Sequence, residues 1–403
     1  MRKSAELVRP ETGTAVALHH RMPARTSVLV MLGAILAACL GPGCSGSAAS
    51  ETGAFGSDAP DDSGARARAD AGDAGTPGSP DAGTGEPEAG VGPTEAGPSS
   101  EAGPGAAKTD YAPYFPTWVW GGSGYAFTSL VDLQKKAALQ EVTIAFVLSN
   151  GGCDTTQDIE QNMSDVKAFV AAGGHVKASF GGADGAYVES QCSDAGSLAT
   201  AIEGFVDATG ITDLDFDIEQ DPVLTDAVNE MRGQALKTVQ ASKNIQVAFT
   251  LATNPSPGAL TTQGLSVVSH AVSAGVKVSH VNLMTMDYGD SFGGQALAPV
   301  AIGSLTAANA QLVSVVPGLV KSAAWKMLGV IPMIGKNDDS EVFSVADAKT
   351  LAAFAVENQL GLVSFWSIDR DQVCPKGADY NSCSTVDTTS FQFNAILQTV
   401  TTP

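Results

Sequence analysis

Between residues 110 and 402 the chain alternates, eight times over, between a short apolar run and a stretch of helical length. The runs are YAPYFPTW (111–118), VTIAFVLS (142–149), HVKASFGG (175–182), TDLDFDIE (212–219), IQVAFTLA (245–252), VSHVNLMTMDYG (278–289), MLGVIPMI (327–334) and GLVSFWSI (361–368). Several are rich in Val, Ile and Phe, which in runs this short reads as strand buried on both faces. Parallel neighbours of that kind need crossover connections, usually helices. The intervening segments carry the matching stripes. Val166, Phe169 and Val170 recur at helical spacing in SDVKAFVAAGG and stop at Gly173-Gly174; Leu198, Ile202, Phe205 and Val206 do so in SLATAIEGFVDATG. Eight strand–helix repeats predict an α/β fold, the (β/α)8 TIM barrel, over residues 109–403. An open doubly wound sheet is the rival, and the lack of a G-x-G-x-x-G after the first run weighs against it.

What precedes this region is of another kind. Arg21 and Arg25 lead into SVLVMLGAILAAC, an apolar run too short to cross a bilayer comfortably and shaped like an export signal. It ends in LAAC, which resembles a bacterial lipobox, so Cys39 is the expected site of lipidation; Cys44 is a second candidate, and a plain secretory signal is the alternative. Met22 would open a signal of more ordinary length. Residues 1–44 are therefore read as signal and lipobox region. Residues 45–108 are mostly Gly, Ala, Pro, Ser, Asp and Glu with recurring DAG and EAG triplets, a composition that cannot bury enough surface to offset its chain entropy. They read as a disordered acidic tether.

Composition narrows the function. A formal net charge of −21 disfavours nucleic acid and anionic membrane surfaces as partners, leaving an N-terminal lipid as the membrane contact. Five scattered histidines make no metal-ligand pattern, so neither metal nor cofactor is expected. Four cysteines remain beyond the leader, Cys153, Cys192, Cys374 and Cys383. In an oxidising compartment an even count reads as two disulfides, with Cys153–Cys192 and Cys374–Cys383 the preferred pairing; free buried thiols are the alternative.

The fourth run, TDLDFDIEQ, packs four acids into seven positions flanked by apolar residues. A buried carboxylate is costly unless it is paired or hydrogen-bonded. Strand side chains alternate, so Asp215, Asp217 and Glu219 share one face, and Leu214, Phe216 and Ile218 the other. On a fourth barrel strand the acids would line the interior, with Glu219 at the carboxyl end where barrel enzymes do their chemistry. Acids this close cannot all ionise freely, and a raised pKa suits a general acid near neutral pH. A divalent-cation site or an acidic edge strand is the alternative, and the interleaved Phe and Ile disfavour the latter.

D-x-D-x-E at the end of such a strand resembles the signature of glycoside hydrolase family 18, the chitinases and endo-β-N-acetylglucosaminidases. The fuller form is D-x-x-D-x-D-x-E, and Thr212 stands at its first position here. Ser179-Phe180-Gly181-Gly182 resembles the S-x-G-G motif closing the third strand. VNLMTMDYG, with Met284, Met286, Asp287 and Tyr288, resembles the sixth-strand M-x-Y-D motif, with Met286 where the family has tyrosine. FWS around Trp366 resembles the tryptophan flooring the sugar subsite. PMIGKNDDSEVF is similar to a stretch of bacterial and archaeal chitinases.

The resemblance implies retaining hydrolysis of β-1,4 links beside N-acetylglucosamine, assisted by the substrate's own acetamido group. Glu219 would be acid and base, Asp217 the acetamido partner and Asp215 its tuner. Tyr288 would supply the hydroxyl that Met286 lacks, with Asp287 contributing. Trp366, Met284, Met286, Ser179, Gly181, Gly182 and Trp118 would bind sugar, and Trp120 would extend the path. Arg370 and Asp371 read as a surface pair. The expected substrate is chitin or chito-oligosaccharide, handled by a monomer. A glycan-trimming endo-β-N-acetylglucosaminidase and a non-catalytic sugar-binding lectin are the alternatives, and retention of all three acids favours an enzyme.

Overall fold

The computed structural model describes residues 109–401, apart from 379, 387 and 388. Cys39, Cys44 and the expected tether lie outside the described residues. All eight apolar runs contain a strand. We number them β1 (Asp110–Tyr111 continuing as Tyr114–Pro116), β2 (Glu141–Val147), β3 (His175–Gly181), β4 (Asp213–Ile218), β5 (Gln246–Asn254), β6 (Val278–Met284), β7 (Leu328–Ile331) and β8 (Leu362–Val363). They pair in parallel in chain order from β2 to β8. β1 has two halves on either side of Pro113, which has no N–H to give a ladder. Its first half pairs with β8 and its second with β2. Hydrogen bonds run across both seams, Ala112 N–H to Val363 O and Thr143 N–H to Pro113 O, so the strands curl into a TIM-like barrel.

Helices fill the crossovers as the stripes predict. Met163–Ala171 ends at Gly173 in the left-handed region, and Ala195–Thr209 opens on an Asp194–Ser197 capping box and closes on left-handed Gly210. Leu198, Ile202, Phe205 and Val206 are buried, whereas Val170 is 50% exposed, because the Val166–Phe169 pair alone turns towards the sheet. The main core lies between sheet and helices. Leu214, Phe216 and Ile218 belong to it, Phe216 lying 5.2 Å from the Phe180 ring and 6.1 Å from Phe249.

Both disulfides form as paired above, Cys153–Cys192 and Cys374–Cys383. Arg370 and Asp371 are no surface pair. Both are buried, Arg370 against the loop after β7 and Asp371 against the start of the helix Gln392–Leu397. Arg370 donates to the backbone oxygens of Lys336 (2.6 Å) and Tyr380 (2.9 Å), while Asp371 accepts from Phe393 N–H (3.1 Å) and Asn394 N–H (2.7 Å).

Candidate active site

The interior face of β4 carries acids in layers, each registered against its neighbours. At the bottom, Asp213 stands beside Lys177 of β3, with Nζ 2.6 Å from the carboxylate. One pleat up, Asp215 is buried and collects donors from four strands. These are Tyr114 Oη (2.9 Å), Ser179 Oγ (2.7 Å), Thr250 Oγ1 (2.9 Å) and Asn282 Nδ2 (3.3 Å). Strands from opposite sides of the ring meet at this carboxylate, which places it on the axis. Its burial raises its pKa, and the hydroxyls of Ser179, Thr250 and Tyr114 pull the other way.

The next pleat holds Asp217, also buried, whose Oδ1 accepts no hydrogen bond. Burial, then Glu219, then Asp215 push its pKa well up. Glu219 follows just past the strand end, partly open to solvent. Its pKa is pushed up to about 7, first by burial and then by Asp287, Asp184 and Asp338. The charges beside Glu219 thus include acids from the loops after β3, β6 and β7, which strand alternation did not reveal. Asp287 sits at the solvent-reached rim in left-handed backbone, φ 51°. Asp338 N–H donates to its carboxylate at 2.9 Å, and its pKa rises to about 6, by desolvation first and against that bond.

A small apolar cluster separate from the main core lines the mouth: Tyr114, Ala145 and Ile331, with Phe146, Met286 and Trp366 packed on it. Trp366 is half-buried. It stacks on Phe146 at 5.6 Å and meets Trp118 edge-on at 5.8 Å, and Trp118 itself is 53% exposed. Met284 ends β6 close by.

Several expected site residues are placed otherwise. Ser179 is fully buried on Asp215, because it registers one layer below Asp217. Gly181 and Gly182 have φ of 106° and 94° and touch protein: a Cβ on Gly181 would lie 2.1 Å from Asp217 O, and one on Gly182 would lie 2.6 Å from the Phe146 ring. Trp120 turns outward, packing on Phe115 and donating to Asp165 at 2.9 Å. Tyr288 does not share Met286's direction. Its hydroxyl is 3.5 Å from Ser304 on the helix Leu297–Val315, since β6 has ended and left-handed Asp287 breaks the alternation. Tyr114, Thr250, Asn282 and Tyr187 went unforeseen; each is an ordinary strand or loop residue until the ring brings it to β4.

A rising folded-state pKa gives a stability test. Glu219 ordinarily titrates near 4.5 and does so near 7 here, so the folded chain holds its proton over that window while the unfolded chain releases it. Stability is therefore lost as pH rises from about 4.5 to 7. Glu219→Gln has no proton to lose, and its Tm should exceed the wild type's increasingly from pH 5 to pH 8. A gap independent of pH would rule out the raised pKa of Glu219.

No family model matches the chain. An endochitinase of Metarhizium anisopliae is 33% identical over 282 residues, which are 65% of this chain and 52% of that protein, so the chain spans about half the length of this curated relative. The catalytic domain of a hyperthermophilic chitinase from Pyrococcus furiosus is 30% identical, with 73% of this chain and 95% of that domain superposing at a TM-score of 0.64. The chain belongs to glycoside hydrolase family 18. A family 18 chitinase from the fern Peteris ryukyuensis shares the fold at 14% identity and a TM-score of 0.51, over 73% of this chain and all of that one. Family 18 membership accords with where the acids lie, on the interior face of β4 and at its carboxyl end.

Proposed function

We propose that this family 18 chain is a chitinase, a retaining hydrolase of β-1,4 links between N-acetylglucosamine units. One observation carries the reading: Asp217 offers a buried acceptor with no donor, one pleat from a carboxyl whose pKa lies near 7. An orphaned buried acceptor costs about 1–3 kcal/mol, and a ligand N–H supplies what it lacks. A 2-acetamido sugar brings that N–H.

Glu219, holding a proton at neutral pH, gives it to the glycosidic oxygen as the bond to the anomeric carbon breaks. The substrate's acetamido oxygen forms the new bond to that carbon, and Asp217 accepts the acetamido N–H and steadies the oxazolinium charge. Water then attacks the same carbon, its proton passes to Glu219, and the acetamido bond opens. No protein nucleophile is required. Asp215, ringed by donors one pleat below, helps push the Asp217 pKa up. Asp287 adds negative charge at the rim beside Glu219. Trp366 gives an apolar face for one sugar ring and the exposed Trp118 a second, with Met284 and Met286 filling the wall.

Two disulfides fit an exported protein. Cys39 would carry the lipid and residues 45–108 would link it to the barrel, both lying outside the described residues. A stable thiazoline analogue of the oxazolinium ion tests the mechanism. It should inhibit competitively below millimolar concentration; no inhibition at that level removes substrate assistance. Products from chitin oligomers, set beside those from a high-mannose glycoprotein, test the substrate.

A further inference from the structure

The ladder between β3 and β4 stops at the Gly181–Asp217 pair. Beyond it the backbone of Glu219 has no β3 residue to pair with. Its N–H donates instead to a side chain, Tyr187 Oη, at 2.9 Å. The same oxygen lies 2.9 Å from Asp217 O and 2.8 Å from Gly182 O, to which its single proton can be given. One phenol thus joins the backbone of Asp217, Glu219 and the β3 terminus. We infer that Tyr187 is a positioning residue for the acid–base pair, fixing the direction in which Glu219 leaves β4 without touching substrate.

The surroundings are built to hold that oxygen still. Tyr187 is 2% exposed, and its ring occupies space that only a glycine at 181 leaves open, a Cβ there coming within 2.7 Å of the ring. The loop that carries it is tied at several points. Ser149 N–H donates to Ala186 O (2.8 Å), Cys192 is bonded to Cys153, and buried Glu189 accepts from Arg232 Nε at 2.7 Å. Ser190 Oγ donates to the Tyr187 carbonyl at 2.7 Å. A hydroxyl fixed this firmly acts as a surrogate strand residue. Without it the Glu219 N–H must find water or swing, and a displacement near one ångström can cost about a hundredfold in rate.

The inference rests on the chitinase reading, and the assay separates the two. If the wild type does not hydrolyse a chromogenic chitobioside, the activity is misassigned. If it does, Tyr187→Phe decides the role, because it keeps the buried ring and deletes one oxygen. We expect kcat to fall at least about tenfold with KM within about twofold, and the basic limb of the kcat/KM profile to shift. Ser190→Ala, which removes a hydrogen bond from the same loop but leaves the phenol, should keep kcat within twofold. Wild-type kcat in Tyr187→Phe, equal losses in both variants, or a Tyr187→Phe chain that does not fold would each overturn positioning in favour of a purely structural tie.

Discussion

Glu219→Gln is expected to lower kcat on a chromogenic chitobioside by about 10²–10⁴-fold, the usual worth of a positioned general acid. Glutamine matches glutamate in size, and the N–H of residue 219 that bonds Tyr187 belongs to the backbone, so the site keeps its shape. What is lost is a proton for the departing oxygen. Trp366, Trp118 and the Asp217 acceptor are untouched, so chito-oligosaccharide affinity by titration calorimetry should change less than about threefold, well under 1 kcal/mol. Turnover within tenfold of wild type would remove Glu219 from its role. In the wild type, kcat/KM should decline above about pH 7 as the free enzyme releases this proton.

The second large effect is on the fold. Asp215→Ala deletes the acceptor shared by Tyr114, Ser179, Thr250 and Asn282. Four buried donors are left facing a methyl group and a void, with Thr250–Tyr114 and Thr250–Asn282 contacts as partial refuge. Breaking a buried polar network from one side typically costs about 3–5 kcal/mol. For a domain of this size that is a Tm roughly 5–8 °C lower, measured by calorimetry. Asp215→Asn should cost less, since one oxygen still accepts while its amide opposes the remaining hydroxyls. A Tm for Asp215→Ala within 2 °C of wild type would show that the network is not a keystone of the barrel axis.

The sequence announces what has a period and conceals what does not. Leu214, Phe216 and Ile218 alternate with the acids, and that rhythm alone sends one set to the helices and the other to the axis. The limit comes where regular backbone stops. Tyr288 has the same parity as Met286 on paper, yet left-handed Asp287 intervenes and its hydroxyl goes to Ser304. Trp120 looks like a rim aromatic but lies past the end of β1, where a turn points it at Asp165. The acids beside Glu219 belong to loops after three different strands, and no local pattern ties Asp184 or Asp338 to residue 219. Tyr187 is the plainest case. Nothing in GAYVES marks a phenol whose partners lie on two strand ends.

The two-part first strand bears on how the molecule is made. Its halves bond to β2, the next strand to be synthesised, and to β8, the last. Until the segment around Leu362 has emerged, one flank of β1 and the open side of β7 are bare sheet edges, templates for aberrant pairing with other copies. Joining them closes nearly the whole domain in one loop, an entropically late event. Nascent chains arrested before Gly361 should therefore clump or be degraded, however well their earlier strands have assembled.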